Sequence, residues 1–216
     1  ADLARVREGF VAAAKRALRA GFDAIELHIA HGYLLHSFLS PLSNQRRDGY
    51  GGSIEARLRF PLEVTRAVRA AVPHATPLGA RITGSDWMEG GITPDDAVIH
   101  ARALKEAGLD YVDVSSGGIT LDTRNPTEFC YNVPLAERVR REAGLPTRAV
   151  GLIVTPKQAE AVIAGGKADM VALGRAFLDD PHWGWRAARE LGAEAKLPPQ
   201  YLRAGPKLWP GAALRA

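Results

Sequence analysis

The stretch TPDDAVIHARALKEAGLDYVDVSS at residues 93–116 contains one complete helix-and-strand unit. Thr93 is a favoured N-cap and Pro94 a favoured first helical residue, so a helix is predicted to begin there. Gly108 marks its end, because glycine readily adopts the left-handed conformation that follows a last helical turn. Residues 111–115 are mostly apolar and predict a short strand, after which serines and glycines predict a loop. The order is helix, glycine, strand and polar loop.

The same order of elements recurs along the rest of the chain. Helical periodicity or capping residues predict further helices at 3–20, 53–71, 134–143, 155–164 and 180–191. Short apolar runs predict further strands at 22–29, 78–83, 148–151 and 170–173. Such alternation favours a parallel sheet with helical crossovers.

The predicted sheet fits a barrel better than an open dinucleotide-binding fold. No Gly-x-Gly-x-x-Gly fingerprint follows any predicted strand. We therefore expect the α/β class and a (β/α)8 TIM barrel. A complete barrel has eight strands and typically about 250 residues. Since five strands are predicted in these 216 residues, the set lacks three.

Composition indicates a globular protein. The chain is 46% hydrophobic and 24% charged, which excludes intrinsic disorder. A single cysteine, Cys130, excludes an internal disulfide and any cysteine-rich zinc or iron–sulfur site. The net charge of +4 is dispersed and not interleaved with aromatic residues, so we expect no nucleic-acid partner. No membrane-length apolar run and no signal-peptide core are present, so we expect a cytoplasmic protein without membrane contact.

Glycines and an arginine follow the last two predicted strands. Active sites of barrels lie at the carboxyl ends of the strands, and phosphate sites commonly use the final two loops, where backbone N–H groups face a helix N-terminus. Gly151, Gly174 and Arg175 occupy these positions. Because glycine permits close backbone approach and arginine adds a charged fork, the three predict a phosphate-bearing ligand. Turn glycines and a surface arginine are the alternative interpretation.

Several ordered motifs resemble the old yellow enzyme family, which consists of FMN-dependent ene-reductases with a (β/α)8 barrel. The resemblance rests on HIAHGYLL at 28–35, FLSP at 38–41, NQR at 44–46 and DGYGGS at 48–53, and continues at 81, 113–117, 149–153 and 172–175. It implies that the chain supplies about strands 4–8 and a C-terminal tail. We accordingly divide it into a partial barrel with the FMN and substrate half at 1–191 and a tail at 192–216 that contacts another subunit.

The resemblance implies roles for three residues after the first predicted strand. His28 and His31 correspond to the pair that donates hydrogen bonds to the carbonyl oxygen of an α,β-unsaturated substrate, which stabilises the developing enolate. Tyr33 corresponds to the acid that protonates the substrate carbon opposite the hydride. The His-x-x-His spacing is similar to the thermophilic-type, xenobiotic-reductase-like branch. For His28 and His31, the alternatives are a zinc site, for which no third ligand is evident, or two histidines of the core. For Tyr33, the alternative is an aromatic wall of the pocket. We expect no metal.

Further residues correspond to the family's cofactor site. Arg81 matches the arginine beside flavin N1 and the C2 carbonyl, where a permanent cation stabilises the reduced flavin. A salt bridge from Arg81 to Asp113 is the alternative. The other predicted cofactor-binding residues are Ser116, Gly117, Gly151, Gly174 and Arg175.

The tail and a long loop give two further expectations. Arg203 resembles the arginine that reaches a neighbouring subunit's active site, which implies a homo-oligomer and a substrate contact; an irregular tail is the alternative. The loop at 40–53 is predicted to be architectural, held by its own turns, with Ser53 capping the next helix.

The sequence thus predicts an NAD(P)H-dependent flavin oxidoreductase. It is expected to reduce the C=C bond of α,β-unsaturated carbonyl or nitro compounds, with hydride from flavin N5, a proton from Tyr33, and NADPH or NADH as reductant. Because the first three strands of the barrel are absent from the predicted set, we expect an N-terminal barrel segment to be missing from this chain. The alternative is a truncated, catalytically silent half-barrel that binds a phosphorylated ligand or a complementing chain.

Overall fold

Five parallel strands form one sheet in the order in which they occur along the chain. The computed structural model describes residues 2–205 and 207–215. The strands are β1 Ile25–Ile29, β2 Leu78–Thr83, β3 Tyr111–Ser115, β4 Thr147–Val150 and β5 Met170–Ala172. Strands β1 and β5 form the two ends of the sheet, and within the described residues each pairs with one neighbour.

Helices connect successive strands, as the alternating pattern predicts. They are α1 Asp2–Arg19, α2 Leu34–Leu39, α3 Ile54–Ala71, α4 Pro94–Glu106, α5 Val133–Ala143, α6 Pro156–Ala164, α7 Arg175–Asp179 and α8 Trp183–Glu190. Two 3₁₀ helices, Pro199–Ala204 and Pro210–Arg215, occupy the tail. No helix in the described part of the chain is both long and apolar enough to span a bilayer.

The predicted helix starts at Thr93, Thr155 and Ser53 are confirmed by their hydrogen bonds. Thr93 and Thr155 each form a capping box with the residue three positions later, in which side chain and backbone bond reciprocally. Ser53 accepts a hydrogen bond from the backbone of Ala56. These contacts satisfy N–H groups that the first turn of a helix leaves unpaired.

The helix predictions are wrong at two places. No helix was predicted between the strand at 22–29 and the helix at 53–71, yet α2 lies there, which is only six residues long and has no side-chain cap. The helix expected at 180–191 is α8, which begins at Trp183 and is preceded by α7. An exposed turn at residues 181–182 separates the two helices, so helical periodicity does not continue from one into the other.

The sheet has one apolar face and one polar face. The apolar face packs against the helices in the hydrophobic core and includes Leu27, Ile29, Ile82, Val112, Val114 and Ala149. On the opposite, inner face, the strand register aligns His28 with Arg81, Arg81 with Asp113, and Asp113 with Arg148. A sheet that faces solvent or a ligand on one side alternates in this way, so the inner face is where polar chemistry is gathered.

Gly79 and Tyr111 are paired on the inner face, two residues before Arg81 and Asp113 along their strands. A Cβ atom at Gly79 would lie 2.2 Å from the ring of Tyr111. The ring therefore occupies the space that any larger residue at position 79 would need. The register thus places Gly79 and Arg81 on the same, inner face.

The loop at 40–53 is held by its own hydrogen bonds, as predicted. The Asn44 amide donates to the carbonyl oxygens of Phe38 and Tyr50, and its side-chain oxygen accepts from the backbone of Arg46. Arg46 also pairs with Asp48. These bonds are internal to the segment and its flanks, which supports an architectural role.

Candidate active site

Three side chains gather where β1 ends. The ring centroid of His28 lies 5.3 Å from that of His31 and 4.8 Å from that of Tyr33. Tyr33 is 62% exposed, so its phenol is open to a ligand. Within residues 2–205 and 207–215 no group of three or more His, Cys, Asp or Glu is placed to hold a metal ion. The three residues predicted to act on a substrate are therefore neighbours.

A left-handed turn carries His31 and Tyr33. His31 has φ 58° and Gly32 has φ 73°. This conformation costs a residue with a side chain about 1–3 kcal/mol. A Cβ at Gly32 would lie 2.5 Å from the carbonyl oxygen of Gly118, so only glycine permits the two loops to approach this closely.

Ser115 connects this turn to Arg81. Its Oγ lies 2.8 Å from Nε2 of His31 and accepts a hydrogen bond of 3.3 Å from Nη2 of Arg81. Arg81 Nε lies 3.5 Å from Oδ1 of Asp113. The salt bridge that the sequence left open is thus present. Arg81 nevertheless also lines the cleft described below.

Asp113 is a fully buried carboxylate between two arginines. Its Oδ2 accepts a hydrogen bond of 2.6 Å from Nε of Arg148, which also pairs with Glu26. Four charged side chains from four neighbouring strands therefore form one network, from Glu26 through Arg148 and Asp113 to Arg81. Within this network, the ion pair with Asp113 holds the Arg81 guanidinium in position.

Both histidines are neutral near pH 7. Burial, followed by the Arg81 guanidinium, lowers the pKa of His31 to about 4. The same two causes lower the pKa of His28. A neutral imidazole keeps one N–H donor. Because Nε2 of His31 already bonds Ser115, His31 can donate to a substrate oxygen from Nδ1 when Ser115 donates to Nε2.

A cleft of about 550 Å³ opens beside these residues, along the carboxyl ends of β3, β4 and β5. His31, Arg81 and Ser115 line one side. The loops after β4 and β5 contribute Gly151, Gly174 and Arg175 to the lining, as the phosphate-site prediction requires.

Comparisons with known proteins identify the family of the chain. Residues 1–194 match the family model described as the NADH:flavin oxidoreductase / NADH oxidase family. The chain belongs to this family. The predicted recognition as an old yellow enzyme relative and the predicted α/β barrel fold, of which the chain supplies a part, are therefore confirmed.

The relatives that match this chain are longer than the chain itself. An NADPH dehydrogenase of Geobacillus thermodenitrificans (strain NG80-2) is 49% identical over 203 residues, which are 94% of this chain and 59% of the relative. That of Geobacillus sp. (strain WCH70) is 46% identical over the same shares. A solved morphinone reductase superposes with a TM-score of 0.71 at 31% identity, covering 91% of this chain and 51% of the reductase. The chain thus spans somewhat more than half the length of these relatives.

The residues that line the cleft are suited to bind a flavin nucleotide. The side chain of Arg175 is exposed and forms no ion pair or hydrogen bond within the described part of the chain. Nδ2 of Asn132, in the cleft wall, is buried and has no hydrogen-bond partner among the described residues. A Cβ at Gly151 would fill the cleft wall 2.8 Å from that atom. Unpaired donors beside a glycine-walled cleft suit the acceptor oxygens of a phosphate and of a polar ring system.

Two predicted cofactor-binding residues, Ser116 and Gly117, form hydrogen bonds with other residues of the chain. Ser116 Oγ accepts from Trp87 Nε1 and donates to Asn132 Oδ1, each at 2.7 Å. The Gly117 N–H donates to the Ser85 carbonyl. Ser116 lines the cleft, whereas Gly117 is not part of its lining. Their contact with a cofactor stays a prediction.

Arg203 lies away from this cleft, in the first 3₁₀ helix of the tail. It is exposed, and its predicted reach into a neighbouring subunit stays a prediction. The predicted tail at 192–216 also includes Pro206 and Ala216, which lie outside the described residues.

Ser115 lies in the motif at 113–117 that the sequence singled out, although no role was assigned to it. Its side chain shares the inner face of β3 with Tyr111 and Asp113. Asn132 was not predicted as a site residue. Asn132 precedes α5 and is distant in sequence from every motif, so no sequence signal indicated it. It enters the site through its bond to Ser116.

Gly151→Ala is expected to destabilise the protein by about 1–3 kcal/mol. Gly151 has φ 113°, and the added Cβ would meet Asn132 and the ring of Tyr131. Gly174→Ala is the matched control, because its Cβ would meet nothing within 4 Å, and a change within about 0.5 kcal/mol is expected. Urea unfolding of the two variants measures the difference, and equal midpoints would contradict the close packing at Gly151.

Proposed function

We propose that this protein is an FMN-dependent ene-reductase that uses NAD(P)H to reduce the C=C bond of α,β-unsaturated carbonyl or nitro compounds. The observation that carries the proposal is the grouping of His28, His31 and Tyr33 beside a cleft whose donors, Arg81 and Arg175, suit a flavin nucleotide. Bound FMN would accept a hydride from the nicotinamide and supply it from N5 to the alkene.

The protein's own residues bind, polarise and protonate the substrate. His28 and His31 each donate an N–H to the substrate carbonyl or nitro oxygen, which draws electron density away from the alkene. The hydride adds to the β-carbon, and Tyr33 gives its phenolic proton to the α-carbon, so two hydrogens are added across the double bond. The exposure of Tyr33 and its contact with His28 support this role.

Arg81, Arg175 and the two cleft glycines would hold the cofactor. Arg81 adds a fixed positive charge where negative charge develops on the reduced flavin, and its ion pair with Asp113 keeps it in place. Arg175 and the backbone at Gly151 and Gly174 would contact the phosphate. The names of the NADPH dehydrogenases related to this chain support NADPH as the reductant.

The assembly is also part of the proposal. β1 and β5 each pair with one neighbour within the described residues, and the relatives are longer. We infer that three further strands, from the same polypeptide or a second chain, close the barrel between β5 and β1, since closure removes unpaired sheet edges. A cytoplasmic homo-oligomer in which Arg203 enters a neighbouring active site remains an expectation.

An anaerobic redox cycle tests the function. NADPH is expected to bleach the visible flavin absorption of the purified protein, and a cyclic α,β-unsaturated ketone is expected to restore it. The corresponding saturated ketone is the control and should leave the flavin reduced. A colourless protein that takes up no added FMN would favour the silent half-barrel, and bleaching without reoxidation by the alkene would contradict the substrate class.

A further inference from the structure

We propose that His36, held by Asp86, is a positioning residue that fixes the left-handed turn carrying His31 and Tyr33. The importance of that turn rests on the proposed function. The hydrogen bonds of His36 do not depend on it, and they can be measured separately.

The turn needs an external restraint because its backbone is costly. His31 is one of the few residues with a side chain that has a positive φ among the described residues. Such conformations persist where surrounding contacts determine them. Gly32, the next residue, is also left-handed, and a small rotation at either position would swing both the His31 and Tyr33 side chains.

His36 supplies a restraint from the first turn of α2. Its side chain is fully buried, and its Nδ1 accepts a hydrogen bond of 2.8 Å from the backbone N–H of Gly32. The acceptor nitrogen carries no proton, so the proton of the neutral ring lies on Nε2. A ring with the proton on Nδ1 would point one donor at another and lose this contact.

Asp86 fixes the other side of the ring. Its Oδ1 lies 3.2 Å from His36 Nε2, although the N–H is not aimed straight at the oxygen. Neither atom has a hydrogen-bond partner in the described part of the chain, so this close contact is the polar interaction that each of them makes. The Oδ2 atom accepts from Ser40 Oγ at 2.7 Å and from the Ile92 N–H at 2.8 Å.

These bonds keep Asp86 ionised despite its burial. Burial alone would raise its pKa, but the contact with His36 and the hydrogen bonds from Ile92 and Ser40 outweigh it and hold the pKa of Asp86 below its usual range. The carboxylate thus connects the end of α2 and the loop before α4 to His36. Through Gly32, the same bonds set the backbone of the turn.

Two substitutions separate the bonds of His36. In His36→Asn the side-chain oxygen occupies the position of Nδ1 and can still accept from Gly32, while the contact with Asp86 is lost. In His36→Gln the amide nitrogen reaches the position of Nε2 and can still donate to Asp86, while Gly32 loses its acceptor. His100→Gln is the control, because His100 is also a buried histidine but has no bond to the turn.

Amide hydrogen exchange of Gly32 in the full-length protein is the primary measurement. We expect exchange at least tenfold faster in His36→Gln, within about threefold of the unmodified protein in His36→Asn, and unchanged in His100→Gln, beyond any difference in global stability. Nitrogen chemical shifts of the His36 ring should place its proton on Nε2. Protection of Gly32 that survives in His36→Gln, or a proton on Nδ1, would overturn the proposal.

Alkene turnover gives the second measurement. In His36→Gln we expect kcat for alkene reduction to fall about tenfold while the NADPH half-reaction changes less than threefold, and His36→Asn should restore most of the loss. Equal losses in the Asn and Gln variants would indicate a merely structural histidine and overturn the proposal. If the unmodified protein reduces no alkene, the proposed function fails while the exchange result still decides the role of His36.

A milder variant keeps the test decisive if the His36 variants do not fold. Ser40→Ala removes one of the two hydrogen bonds to Asp86 Oδ2 and leaves His36 in place. Exchange of Gly32 about threefold faster is the expected result, and unchanged exchange would count against a path from Asp86 to the turn.

Discussion

Replacing both His28 and His31 by alanine is expected to lower kcat/KM for alkene reduction by a factor of about 10² to 10³. The two rings are neutral and adjacent, with centroids 5.3 Å apart, so together they present donors for one substrate oxygen. Without them, the charge that develops on that oxygen as hydride arrives would have no partner. Single-turnover oxidation of the NADPH-reduced protein by an unsaturated ketone measures the effect directly.

A matched histidine and a second half-reaction serve as controls. His74 lies exposed before β2, at the opposite end of the sheet, and His74→Ala should leave both half-reactions unchanged. In the double variant, flavin absorption should persist, because neither histidine is among the residues proposed to hold FMN. An alkene rate within fivefold of the unmodified protein would contradict the assignment of the pair.

Asp113→Ala is expected to destabilise the protein by about 3 kcal/mol. Removing one member of a buried ion pair typically costs about 3–5 kcal/mol, because the remaining charge stays without a partner. We expect the lower end, since the side chains of Arg81 and Arg148 are 31% and 25% exposed and water can reach them. Arg148 keeps Glu26, whereas Arg81 loses its carboxylate.

Urea unfolding tests this expectation against two companion variants. Asp113→Asn keeps the volume and an acceptor, so its loss should be intermediate. Glu190→Ala breaks an exposed helical pair with Arg186 and should cost less than about 1 kcal/mol. If Asp113→Ala cost no more than Glu190→Ala, the inner network would contribute no more to stability than a surface pair.

The elements that were predicted correctly carry their own local signals. Thr93 and Thr155 cap their helices by contacts within four residues, and alternating residues in β2 and β3 sort themselves onto two faces. The short helix α2 escaped prediction because six residues are too few to display helical periodicity and its start lacks a side-chain cap. Its fold depends on burial against α3, which a local pattern does not reveal.

The site was predictable where its residues lie in one motif or directly follow a strand. His28, His31 and Tyr33 are within six positions of one another, and Gly151 and Arg175 follow successive strands. His36 and Asp86 are 50 positions apart and meet only when α2 packs beside the loop after β2. Contacts of this kind depend on the tertiary arrangement, so the residues that orient the site were harder to find than the residues expected to perform the chemistry.

The fit between Gly79 and Tyr111 also bears on how the chain can change in evolution. Because the ring fills the space a Cβ at position 79 would need, a larger residue at 79 is tolerated only after the ring at 111 is lost. The two positions should therefore covary among homologues, with strong epistasis between them. Recombination between β2 and β3 would separate the pair, so chimeras joined there should fold only when the two parents carry matching residues at these positions.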